Sequence, residues 1–98
     1  MQGAIHRLRD GPELVCRVQT DLGVDTPYLL CAPVQRRDDW GALVPRLHIP
    51  CQVGGEAHVI VMSQMVALPA GVLGPEIANA VAERDRIVAA VDLLVSGF

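Results

Sequence analysis

The chain has 98 residues, a length that suits one domain, 1–98, with a modest core. It is 51% hydrophobic, and eight basic residues against eleven acidic ones leave a formal net charge of −3. This balance argues against direct nucleic-acid binding, which usually needs a basic stripe, and the surplus apolar content points to an oligomer interface. The longest uncharged stretch, 57–75, is broken by Ser63, Gln64, Pro69, Gly71 and Gly74, so it reads as core strands and a turn rather than a membrane span.

The first half has strand character. Residues 4–9 and 13–20 flank the turn signal Asp10-Gly11-Pro12 and read as a hairpin. In the second arm Leu14, Cys16 and Val18 share one face and Arg17 and Gln19 the other, the pattern of a half-buried strand. Residues 21–27 form a polar loop containing Gly23. The apolar run 28–34, interrupted only by Pro33, fits a buried strand whose end lies at a sheet edge.

The middle is less regular. Arg36-Arg37-Asp38-Asp39 is a mixed charge cluster, and 40–44 has room for a short helical turn before Pro45. Residues 47–51 and 58–62 are strand-like around the turn candidate Val53-Gly54-Gly55-Glu56, and 65–68 continues as a further short strand.

The last third changes period. Val81, Val88 and Val95 recur every seven residues, and Ile87, Val91 and Leu94 fill the same arc, so the spacing predicts an amphipathic helix with that stripe inward. Asn79 is placed as its N-cap, with Glu83 and Asp85 suiting the positive end of the helix dipole and Gly97 as terminator. Short strands followed by one terminal helix make a small α+β domain.

Few residues point to catalysis. Ser63 and Ser96 lie in no nucleophile motif. Cys51 and His48 are three apart, which in a strand places them on opposite faces. Those two with His58 lack zinc-site spacing, so neither a metal nor a cofactor is expected. Cys16, Cys31 and Cys51, an odd number without a visible secretion signal, read as reduced thiols in a cytoplasmic protein. The residues describe a binding protein more readily than an enzyme.

Two segments are more specific. Val18-Gln19-Thr20-Asp21-Leu22-Gly23-Val24-Asp25-Thr26-Pro27 resembles the V-Q-S-D, two apolar residues, D-T-P signature of CcdB toxins, with Thr20 for Ser and a loop one residue longer. Met65-Val66-Ala67-Leu68-Pro69 resembles the family's M-x-S-V-P segment, and the chain follows the family pattern from there onward; 35–55 resembles it weakly.

The resemblance implies a small SH3-like β-barrel, or curled antiparallel sheet, with one C-terminal helix, as also found in MazF ribonuclease toxins. It implies a homodimer that is not an enzyme. Its target would be the A subunit of DNA gyrase, trapped with cleaved DNA, and a CcdA-like antitoxin would neutralise it and link it to operon autoregulation. DNA would be met only through gyrase or the antitoxin. The implied gyrase-binding residues are Asp92, Val95, Ser96, Gly97 and Phe98 at the helix end, with Thr20 and Leu22 in the loop. The family ends in W-G-I. Here Ser96 stands in place of the tryptophan, and Asp92 in place of an asparagine.

Two alternatives stay open. One is a MazF-like endoribonuclease using Arg17 or Arg46 with Thr20. The other is a binding-only homologue that still pairs with an antitoxin but does not poison gyrase.

Overall fold

A computed structural model describes residues 1–97; the expectation placed on Phe98 lies outside them. The described residues form seven strands and one α-helix. The strands are β1 (Ala4–Leu8), β2 (Leu14–Arg17), β3 (Tyr28–Arg36), β4 (His48–Val53), β5 (Glu56–Val61), β6 (Val66–Pro69) and β7 (Leu73–Asn79); the helix is α1 (Arg84–Ser96). All strand pairings are antiparallel, in the order β4-β5-β3-β2-β1-β7, with β6 paired to β3 beside β5. The sheet curls until β7 approaches β4, making a half-barrel whose concave side takes the helix.

The β1–β2 hairpin and the β4–β5 hairpin fall where the turn signals placed them. Gly54 and Gly55 both have positive φ, 59° and 80°, which a two-residue turn of the favoured hairpin twist requires. Strand β2 is more buried than its alternation indicates. Cys16 and Val18 join Ile5, Ala32, Val34, Ile49, Ile60 and Met62 in the main core. Val15, on the opposite face, is only 5% exposed, because it packs with Cys31 and Leu73 in a smaller cluster on the other side of the sheet.

Three readings change. First, β3 is buried as expected, but its end does not lie at a sheet edge. Leu30 directs both backbone groups toward β2: its C=O accepts from Val18 and its N–H donates to the Gln19 side chain. By two-residue alternation Pro33 faces the other side, where β3 exchanges β6 (pairing ends at Cys31) for β5 (pairing begins at Val34). The missing N–H therefore sits at a break in the ladder rather than at a sheet edge.

Second, β7 has no counterpart in the sequence reading, because Gly74-Pro75 looks like a turn. The strand tolerates them through two register shifts against β1. A Cβ on Gly74 would collide with the Arg7 carbonyl, so only glycine allows this approach.

Third, the helix begins later and is rotated. Asn79 ends β7, and its Oδ1 accepts the Val81 N–H at 3.3 Å where a 3-10 turn, Val81–Glu83, begins. The inward residues of α1 are Ile87 and Ala90, backed by Val91. Val88 is 44% and Val95 76% exposed, so the seven-residue valine stripe lies on the flank. Around a 3.6-residue helix Ile87, Ala90 and Val91 fall on one face with Val88 and Val95 beside it, and it is the face carrying the small Ala90 that packs against the sheet. The short helical turn expected at 40–44 is a 3-10 turn at Arg37–Asp39 instead.

Candidate functional site

The loop between β2 and β3 is held at its ends by its signature residues. The Gln19 amide donates to Thr26 Oγ1 at 3.0 Å, and Thr26 Oγ1–H donates to the Tyr28 carbonyl at 2.7 Å. Gln19 Oε1 in turn accepts the Leu30 N–H at 3.1 Å. Gln and Thr seven apart thus close the loop with side-chain hydrogen bonds that replace a missing ladder. Asp21 lies 3.4 Å from the N-terminal ammonium and 3.8 Å from Arg17 Nη2. These are exposed pairs of small energetic weight.

The loop apex is left free. Thr20 is exposed, Leu22 is 57% and Val24 72% exposed, and Gly23 takes φ +77° between them. Two large apolar side chains thus stand in water beside a backbone clamped by Gln19 and Thr26. Val24 was not singled out from sequence, although it is the second apolar residue of the signature.

At the helix end, Asp92 and Ser96 are exposed and Leu94 is 41% exposed. Gly97 is the left-handed C-cap, with φ +79° and its N–H donating to the Leu93 carbonyl at 2.9 Å. A Cβ there would meet nothing within 4 Å, so the position is open space rather than a packed corner. The loop and the helix end are not joined in one pocket: the cleft walled by Thr20 and Leu22 has no residue from α1.

A model of the CcdB protein family matches residues 5–97, both signatures and the whole helix included. The chain belongs to the CcdB family. This is a family of toxins from toxin–antitoxin systems. No curated protein sequence matches. Among solved structures, the chain is similar to Mycobacterium tuberculosis toxin MazF-mt6, at 15% identity and a TM-score of 0.72, covering 91% of this chain and 92% of that one. At that identity the likeness describes the fold, and it is the curled sheet with one C-terminal helix expected from sequence.

Of the residues named for the ribonuclease alternative, the structure brings Arg17 and Thr20 together and leaves Arg46 apart. Arg17 and Thr20 wall the loop cleft, whereas Arg46 walls a separate cleft with Arg86 and Ala89 of the helix. Cys51 and His58 are cross-strand partners, but His48 lies on the opposite face of β4 and its Nδ1 accepts the Val44 N–H at 2.8 Å. No three His, Cys, Asp or Glu side chains come together among the described residues. Among the described residues, no helix is long and apolar enough to cross a membrane.

The thiols are poor nucleophiles. Burial pushes the Cys16 thiol up to about 12, with Cys51 and Cys31 adding to it, and Cys51 up to about 11, with Glu83 adding to it. Burial raises Cys31 too, against the opposing Arg17 charge. The thiolate is the reactive form, so alkylation by iodoacetamide at neutral pH should be slow in the folded protein and fast in denaturant. The sign for stability follows. Below the ordinary value of 9.0 both folded and unfolded thiols stay protonated, and nothing changes with pH. Above it the unfolded chain loses protons that the fold retains, so stability should fall between pH 9.0 and about 12. Urea midpoints at pH 7 and 10.5 measure this. The decline should shrink in a Cys16→Ala variant.

Proposed function

We propose that this CcdB-family toxin binds the A subunit of DNA gyrase through the end of α1 and traps the enzyme on cleaved DNA, without catalysing a reaction itself. The observation that carries this reading is the helix end. A family match that runs to residue 97 terminates in Leu94, Val95 and Ser96, all turned to solvent around an open C-cap glycine. Apolar side chains in water at a rigid helix end are stable partners only for another apolar surface. The exposed Leu22 and Val24 add a second contact, and two copies of the chain would present both features twice. A CcdA-like antitoxin neutralises the toxin in the cytoplasm and ties it to operon autoregulation; DNA is met only through these partners.

Ser96 favours one competing reading, a homologue that binds an antitoxin but does not poison gyrase. It lacks an aromatic ring that would add about 150–250 Å² of buried surface. Calorimetry with the purified breakage-reunion domain of the A subunit separates the two. Saturable binding that is lost in Val95→Asp supports gyrase as the target. No binding, together with normal growth on expression of folded protein, favours the binding-only homologue.

A further inference from the structure

A cleft of about 420 Å³ opens between the free edge of β4, the loop preceding it and the outer side of α1. Its apolar wall includes Leu43, Ile49 and Ala89. Three basic side chains also line it, each from a different element: Arg46 from the loop, His48 from β4 and Arg86 from the helix. No carboxylate does. In a chain of net charge −3 this is a local reversal of sign.

Each base has a donor to spare. Arg46 has no ion-pair partner among the described residues. Arg86 Nη1 lies 3.3 Å from Glu83 Oε2, which occupies one of its five donors. His48 accepts at Nδ1 from Val44, which leaves the proton on Nε2 of the neutral ring. The ring is also fixed edge-on against Trp40, centroids 5.2 Å apart. Arg46 is the one non-glycine described residue with positive φ, 74°. A bulky side chain in that conformation is strained, and such strain collects at ligand sites.

We propose that this cleft binds a phosphate monoester attached to a flat apolar group, of the size of an aryl or nucleoside phosphate. Donors set on three separate elements suit a tetrahedral oxyanion with three free oxygens better than a planar carboxylate. Guanidinium forks match phosphate oxygens in pairs. The apolar wall accepts the organic body. The site is separate from the helix end and the loop, so the proposal does not rest on the gyrase reading.

The test is a two-dimensional amide NMR titration of the full chain with phenyl phosphate, inorganic phosphate and benzoate. Phenyl phosphate should give saturable shifts confined to Leu43, Val44, His48, Ile49 and Ala89, at least tenfold tighter than either other probe. Arg46→Gly removes the charge while suiting the positive φ, so it stays folded; it should weaken phenyl phosphate binding at least tenfold, as should Arg86→Gln. Benzoate binding as tightly as phenyl phosphate would overturn the phosphate assignment. Absence of localised shifts, or undiminished binding by folded Arg46→Gly, would overturn the site.

Discussion

Removing Gly97 and Phe98 is expected to abolish gyrase poisoning while leaving the melting temperature within about 2 °C of the parent, since the last residues of a chain usually contribute little to folding. The helix holds to the sheet through Ile87 and Ala90, both fully buried and several residues upstream. Only one backbone hydrogen bond, from Gly97 to Leu93, is lost among the described residues. Partner binding loses the whole tip. Hot-spot truncations cost about 2–4 kcal/mol each, enough to reduce affinity by roughly 30- to 1,000-fold. The reciprocal variant, Ser96→Trp, should strengthen poisoning by restoring an aromatic ring at an exposed helix position. Toxicity titration in cells and thermal melts of the same proteins separate binding from folding. Equal toxicity with and without the two residues would remove the helix end from the mechanism.

The second large effect concerns how the helix is seated. Ile87→Ala should destabilise by about 2–5 kcal/mol, through lost burial and the cavity left behind. Domains of this size typically have 5–15 kcal/mol in all, so the melting point should fall by roughly 10–30 °C. Val88→Ala, one residue along and 44% exposed, should stay within about 0.5 kcal/mol of the parent. Denaturant unfolding of the two variants decides which face is inward. A larger loss at Val88 would restore the valine stripe as the buried face.

That contrast shows where sequence reading reaches its limit here. The period announced a helix, because apolar residues three and four apart need one. The phase was ambiguous, because valines, isoleucine and leucines cover more than half of the helix circumference. The sheet chose the face where Ala90 permits close approach and Ile87 fills the half-barrel. Asn79 does not cap α1: its side chain accepts from Val81 at the start of the 3-10 turn that leads directly into the helix. Hairpins with local turn chemistry, such as Gly54-Gly55, were legible because two residues decide them. Strand β7 was not, because Gly74 and Pro75 are breakers locally and are accommodated only by a bulged pairing with β1, some seventy residues away. The loop signature was legible as a motif, yet its physical role, the Gln19–Thr26 clamp, appears only once the loop is closed. The basic cleft was invisible beforehand, since Arg46, His48 and Arg86 are gathered from separate elements by folding.

The central claim concerns the open helix end of a CcdB-family chain, and one measurement addresses it most directly. Purified full-length protein is added to gyrase and supercoiled plasmid with ATP, and linear DNA is scored after denaturing the enzyme. The account predicts protein-dependent accumulation of cleaved DNA at micromolar toxin, absent with the variant lacking Gly97 and Phe98. Unchanged cleavage together with unimpaired supercoiling, at any concentration of folded protein up to that range, would contradict it.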